Sequence, residues 1–280
     1  MKPYLKYVGG KSHLAPLIKS IWESHGCPRL VEPFAGSLAV ALALDPNQAL
    51  LNDANEHVIN LHQHVKNWLV FEQGFKNEEA FYYQARSQFN QLIREGRQHS
   101  QEAAELYFYL NRNCFNGLSR FNQKGEFNVP FGKYKKVNYQ KEFASYSIAM
   151  LEWDIKCGDF EVLEINDSDF MYVDPPYDSS FTQYSKEGFY WDDQLRLMDW
   201  MDNHSGPLIV SNLATDRILT LYFANGYDVY TYAAPRRISC KGDRKPALEM
   251  MAFKNVDLTS VLNLSNMKPV LSKYTVAKAA

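Results

Sequence analysis

No two cysteines in this chain share the Cys-x-x-Cys spacing of a zinc or redox site. Its four cysteines, Cys27, Cys114, Cys157 and Cys240, are scattered along 280 residues. That spread argues against a disulfide framework or a metal site and predicts a reducing cytosol. No apolar run approaches the length of a membrane span. Met1-Lys2-Pro3-Tyr4 opens directly into a motif, so no signal peptide is expected. Internal repeats and low-complexity tracts are absent. So is an excess of charge: 30 Lys and Arg face 32 Asp and Glu, a net charge of −2. Any nucleic-acid binding must therefore rest on a local basic patch. The three spaced glycines of a dinucleotide fingerprint are also missing, which disfavours NAD. The remaining composition, 46% hydrophobic and 22% charged, is that of a globular chain with a sizeable core, in one large or two modest domains.

The chain is organised around Asp174-Pro175-Pro176-Tyr177. The apolar run Phe170-Met171-Tyr172-Val173 before it reads as a short buried strand. Two prolines cannot continue a ladder, and they stiffen the backbone and bias Asp174 toward extended geometry. The product is a rigid polar edge at the carboxyl end of a strand, where open α/β sheets bind ligands. Asp174 and the Pro175 carbonyl offer acceptors, and Tyr177 offers a flat ring. A planar ring bearing an N–H₂ group, such as adenine, satisfies all three. The plain alternative is a strand-ending turn.

Upstream, Lys6-Tyr7-Val8-Gly9-Gly10-Lys11 precedes a helix with Leu14, Leu17, Ile18, Ile21 and Trp22 at helical spacing, for which Ser12 is the expected N-cap. A Gly-Gly turn before a helix lets backbone N–H groups approach an anion, and Lys11 adds charge. Leu30 to Ser37, followed by Leu38 to Leu44, has the strand–Gly36 turn–helix pattern of a nucleoside site. Ala49 to Asp53 reads as a second strand whose terminal acid is placed to meet ribose hydroxyls; a solvated Asp53 is the alternative. Helices follow at Val58, Leu61 and Val65 and at Phe81, Ala85, Phe89 and Leu92. From Leu106 to Lys136, Arg, Asn, Lys and aromatic residues interleave, and Lys124-Gly125 reads as a hairpin turn between strand-like runs. Such side chains read bases and stack on them, although each charge alone is equally a solvated one.

Leu151 to Cys157 leads to Gly158-Asp159-Phe160, a third strand end. Asp192 is expected to cap the helix carrying Leu195, Met198 and Met201. Pro207 to Asn212 reads as a buried strand, and Asp228 to Tyr230 and Glu249 to Phe253 as late strands, possibly antiparallel. Between these last two, Arg236, Arg237, Lys241, Arg244 and Lys245 form either a solvated loop or a phosphate clamp. No organisation is legible from Asp257 onward.

In this order, these stretches resemble the Dam-type DNA adenine-N6 methyltransferases over nearly all of residues 4–255. The likeness is carried by Tyr7 to Lys11, Glu32 to Gly36, Asp53, Asn111 to Lys136, Asp174 to Tyr177 and Arg236 to Glu249. Position 7 is more often Trp in the family. The resemblance implies an α/β fold: a Rossmann-like methyltransferase sheet, residues 1–55 and 147–256, that binds S-adenosylmethionine. A mostly helical target-recognition domain carrying a β-hairpin, residues 56–146, would be inserted in it, and residues 257–280 would form a tail of unknown role.

It further implies that Tyr7, Lys11, Asp53 and Asp174 contact the cofactor, with Phe34, Gly36, Asp159 and Phe160 around its adenosine. Asp174, Pro175, Pro176 and Tyr177 would hold a flipped adenine. Phe115 matches the intercalating aromatic, Asn116 and Arg120 match base-reading positions, and Lys6 matches a base-contacting lysine. Lys133, Arg236, Arg237, Lys241 and Arg244 would complete the contacts to double-stranded DNA. GATC is the expected target and the cytoplasm of a bacterium or phage-infected host the expected location, with no membrane, metal or obligatory protein partner. The alternatives are a cytosine-N4 or RNA adenine-N6 methyltransferase, or a non-enzymatic DNA-binding protein on the same fold.

Overall fold

A computed structural model of the chain describes residues 1–71, 74–140, 142–178, 188–234, 247–258 and 267–270. Its centre is a sheet with strand order β3-β2-β1-β4-β5-β7-β6-β8. The strands are β1 (Arg29–Glu32), β2 (Gln48–Asp53), β3 (Trp153–Cys157), β4 (Phe170–Val173), β5 (Leu208–Leu213), β6 (Asp228–Ala234), β7 (Ala247–Lys254) and β8 (Lys268–Pro269). The first five run parallel, and β7 inserts antiparallel between β5 and β6.

Successive residues of a strand face opposite sides. Leu30, Leu51, Phe170, Tyr172, Ile209, Met251 and Phe253 accordingly join one core. Val31, Leu50, Met171, Val173, Leu208, Val210, Met250 and Ala252 join a second core on the other face. Burial on both faces explains why these strands read as continuous apolar runs rather than as alternating ones.

The first core is covered by α1 (Ala15–His25), α3 (Glu56–Lys66), α4 (Glu79–Arg94) and α5 (Gln101–Asn113), the second by α7 (Trp191–Asp202) and α8 (Asp216–Ala224). Two short helices, α2 (Ala41–Leu44) and α6 (Ala144–Ala149), complete the set. Strand order reverses between β1 and β4, so the crevice of this open sheet lies at the carboxyl ends of those strands. Everything between β2 and β3 in sequence, α3 to α6, forms one long connection, in which α3 packs against both strands and against α5.

Four expectations change. Ser12 is not the cap of α1: the helix begins after Leu14, and the Lys11 carbonyl accepts from the N–H groups of Leu14 and Ala15 at 2.8 and 3.2 Å. Two entry donors are thereby satisfied without a side chain. The helix expected over Leu38 to Leu44 shrinks to α2, because Leu38 takes φ 59° to close a turn on Ala35. Asp192 lies in the first turn of α7. Its cap is Tyr190, whose N–H donates to the Asp193 carboxylate at 2.7 Å.

The tail is not without organisation, since β8 pairs with β6 at Tyr230 and Thr231. The hairpin turn at Lys124-Gly125 is present, built on Asn122, whose side-chain oxygen accepts from the N–H groups of Lys124 and Glu126. The runs beside it make only isolated antiparallel bridges, Phe121 with Phe127 and Cys114 with Phe131. Among the described residues, no helix is long and apolar enough to cross a membrane.

Candidate active site and DNA-facing surface

Where β4 ends, Asp174 is held from two sides. Lys11 Nζ lies 3.0 Å from each of its carboxylate oxygens, and Ser211 Oγ donates to Oδ1 at 2.7 Å. The single hydroxyl proton of Ser211 is thus committed. Tyr172, whose oxygen lies 3.0 Å away, is therefore the donor to Ser211. Lys11 is only 4% exposed and Asp174 20%, so the pair sits largely out of water. Lys11 Nζ also donates to the Gly9 carbonyl at 2.6 Å, which ties the Gly-Gly turn to β4. Glu32 stands close behind. Burial, supplemented by the charge of Asp174 and opposed by the Ala41 N–H, pushes its carboxyl up to about 8.

The rest of the tetrapeptide is equally constrained. Gln194 donates to the Pro176 carbonyl at 2.9 Å, and its own oxygen accepts from Asn212 at 3.1 Å. Among the described residues nothing donates to the Pro175 carbonyl. The Tyr177 hydroxyl donates to Glu249 Oε2 at 2.9 Å, and the Lys11 ammonium lies 4.6 Å from its ring centroid.

Turns at the ends of β1, β2 and β3 are laced together. Asn52 donates to the carbonyls of Pro33 and Gly158, at 3.0 and 2.9 Å. Asp53 accepts from the Gly36 N–H and the Asn55 N–H, both at 2.9 Å. Burial raises the pKa of Asp53 against these two bonds. Gly36 adopts φ 47°, and a Cβ there would lie 3.0 Å from the Tyr7 ring, so the tyrosine sits directly on the glycine. His62 fixes the turn from behind. Its Nε2 donates to the Gly36 carbonyl at 2.7 Å and its Nδ1 accepts from Tyr4, while burial holds the ring neutral, with its pKa lowered to about 4.

Phe34, Phe160 and Phe189 cluster beside this pole. Phe160 itself is core. Asp159 is a less open acceptor than the sequence suggests, because both carboxylate oxygens take a bond from Arg196 at 2.9 Å.

The residues expected from the sequence to face DNA form a second group. Lys6 is half-buried. Its N–H donates to Asn111 at 2.9 Å, Asn111 donates back to its carbonyl at 2.7 Å, and its Nζ reaches the Arg112 carbonyl at 3.0 Å. Burial and the neighbouring Arg112 lower its pKa. Lys6 thus braces the end of α5 rather than standing free. The turn that follows, Phe115–Gly117, is shaped by φ 56° at Asn116 and φ 63° at Gly117, where a Cβ would collide with the Lys6 side chain. It presents Phe115 with 43% of its surface exposed. Arg120 is held by Asn128 through Nε, at 2.7 Å, and Nη2, at 3.2 Å. Ser119, beside it, is bonded by Asn55 at 3.3 Å and Tyr107 at 2.8 Å. Lys133 is exposed, at φ 52°. Arg236, Arg237, Lys241 and Arg244, with Lys245, lie outside the described residues. No group of His, Cys, Asp and Glu among the described residues is arranged to hold a metal.

Sequence reasoning misses Ser211, Glu249, Gln194, Asn52 and His62. The only signal for any of them is position: Ser211 and Asn52 are polar residues at the carboxyl ends of buried strands.

Comparison with known proteins identifies the family. The family model of the D12 class N6 adenine-specific DNA methyltransferases matches residues 7–234. The type II methyltransferase M.MjaIII of Methanocaldococcus jannaschii is 33% identical, over 88% of this chain and 95% of its own length. The retron Ec67 DNA adenine methylase of Escherichia coli is 33% identical, over 90% and 91%. A DNA adenine methylase of Vibrio cholerae is 32% identical, over 92% and 98%. The cytosine-N4, RNA-directed and non-enzymatic alternatives give way to this match. The chain belongs to the D12 class of N6 adenine-specific DNA methyltransferases and is a site-specific adenine methylase of DNA.

Proposed function

We infer that the enzyme methylates N6 of an adenine swung out of a short duplex site, with S-adenosylmethionine as donor and GATC as the site. The observation that carries this reading is the pair of acceptors at the end of β4: the anchored Asp174 carboxylate and the Pro175 carbonyl, which no described residue occupies. An amine donating to both is drawn toward a pyramidal geometry, with its lone pair directed away from the ring plane. As the N6–methyl bond forms and the methyl's bond to sulfur breaks, N6 becomes cationic; preorganised acceptors stabilise that charge until the proton passes to water. The base must leave the stack to reach them, and Tyr177 supplies a ring to receive it.

The residues present fit the cofactor. Tyr7, packed on Gly36, offers a ring beside the turn, the Asp53 carboxylate at the end of β2 offers acceptor oxygens to ribose hydroxyls, and Lys11 and Asp174 together suit an amino-acid tail carrying both charges. When bound, S-adenosylmethionine supplies an electrophilic methyl whose departure leaves a neutral thioether. Holding that methyl in line with N6 makes much of the acceleration positional. No metal enters these steps.

On this reading residues 56–146 recognise the target and residues 1–55 with 147–256 carry the chemistry. Phe115 wedges into the space the base leaves, while Asn116, Arg120 and Lys6 read or frame the site. Lys133 and the Arg236 to Lys245 stretch grip phosphates. The place of action is the cytoplasm, where bacterial or phage DNA lies.

Mapping methylated bases in DNA from cells expressing the enzyme tests the site directly; methyladenine outside GATC would overturn that assignment. The recognition roles are tested by kcat/KM on GATC and on duplexes altered at each base pair. An Arg that reads guanine discriminates by about 1–3 kcal/mol, so Arg120→Ala should relax one position and leave the others selective. A uniform fall across the panel would make Arg120 a phosphate contact.

A further inference from the structure

Glu249 lies on β7, directly opposite Tyr232 of β6 in the antiparallel register. Opposed residues share a face of the sheet. One oxygen, Glu249 Oε2, accepts from the Tyr232 hydroxyl at 2.8 Å and from the Tyr177 hydroxyl at 2.9 Å. Tyr177 belongs to the tetrapeptide after β4, whereas Glu249 arrives from a strand two places along the sheet. The carboxylate therefore clamps the far end of a ring whose near end is fixed by the backbone at Pro176 and whose face is approached by Lys11. Two phenols donating to one carboxylate oxygen make a short, directional arrangement.

We propose that Glu249 is a positioning residue for methyl transfer, acting through the Tyr177 hydroxyl to set the plane against which the target adenine rests. It touches neither base nor cofactor. Without it the ring turns about its χ torsions, and the base resting on it loses its alignment with the two acceptors. The proposal depends on Tyr177 receiving the base, as inferred above.

The test is a thermodynamic cycle on the full-length enzyme, with Tyr177→Phe, Glu249→Ala, Glu249→Gln and the double variant Tyr177→Phe/Glu249→Ala. Misalignment of a reacting group costs on the order of 10- to 100-fold, so Glu249→Ala should lower kcat by about that factor. KM for the duplex should stay within about twofold, because the substitution removes no basic side chain. Glu249→Gln keeps an acceptor oxygen and should restore most of the rate. Tyr177→Phe removes only the hydroxyl and should reproduce much of the loss. In its background Glu249→Ala should add little, since the two act as one unit.

Additive losses in the double variant would overturn the proposal, as would Glu249→Gln no better than Glu249→Ala. If Glu249→Ala does not fold, the cycle is run with Glu249→Leu, which removes the acceptor while filling the space, and read the same way. Failure of the underlying reading looks different: Tyr177→Ala would then turn over normally and leave the fluorescence of 2-aminopurine at the target unchanged.

Discussion

Asn111 and Lys6 make a reciprocal pair: the asparagine amide accepts from the lysine N–H and donates to the lysine carbonyl. A residue at the end of α5 thereby completes the backbone of the segment that carries Tyr7 and Lys11. The same amide lies 3.4 Å from the Gly117 carbonyl in the Phe115 turn. Asn111→Ala should leave these partly buried groups unpaired and cost about 1–3 kcal/mol in urea unfolding. It should also weaken communication between the two substrates. The factor by which a cofactor analogue changes duplex affinity should move toward one, reciprocally for both ligands. An unchanged factor would show that the sites communicate by another route.

Asp174→Asn should lower kcat by about 10²–10³ through loss of the charged acceptor. It should also destabilise the protein, because Lys11 would be left buried without its counter-ion. Breaking a buried pair from one side costs about 3–5 kcal/mol, and the 20% exposure of Asp174 favours the lower end. Adding Lys11→Met should recover stability but not turnover. Near-normal turnover in Asp174→Asn would remove it from the chemistry.

Phe115→Ala should change stability little, because the ring is already 43% exposed. It should weaken the fluorescence rise of 2-aminopurine placed at the target adenine, since a wedge offsets the cost of unstacking. A full signal at saturating enzyme would make Phe115 an ordinary surface aromatic.

Glu32 gives a pH prediction. Its carboxyl is raised from an ordinary 4.5 to about 8 in the folded protein, chiefly by burial. Between those values the folded state binds more protons than the unfolded state, so stability falls as pH rises through that window. Glu32→Gln cannot charge and should lose this slope, gaining on wild type most at and above about pH 8. His62 works in the opposite direction. Its pKa is lowered from 6.5 to about 4 by burial, so its contribution is lost as pH falls through that range. The difference between wild type and Glu32→Gln at each pH isolates the glutamate. A difference independent of pH would show that Glu32 is charged throughout.

Much of the sheet is legible before the structure, for a physical reason. Strands such as Phe170–Val173 and Leu208–Leu213 are buried on both faces, so they appear as apolar runs stopped by polar residues or proline. The same property hides α5. Its residues from Ala103 to Asn111 are all buried, polar Glu105 and Asn111 among them, so polar and apolar positions do not separate into an exposed and a buried face. Caps mislead where backbone replaces side chain, as the Lys11 carbonyl does for Ser12.

In the site, Asp174, Tyr177, Asp53, Gly36 and Lys11 are legible because their chemistry is local to a turn. Ser211, Glu249 and His62 are not, since each acts on a residue far away in sequence. Only strand register and helix packing bring them to it.

The connection between β2 and β3 bears on how the chain folds. The register sets Ala49 beside Trp153, so the pairing closes a loop of roughly a hundred residues where an ordinary crossover has about twenty. Even if that whole stretch were flexible, closure entropy grows only logarithmically, and the extra length costs about 1.4 kcal/mol. Local helix formation within that stretch would shorten the effective loop further. A segment carrying α3 to α6 thus separates β2 from β3 at a free-energy cost comparable to one hydrogen bond, and the strand beyond it docks at the sheet's edge.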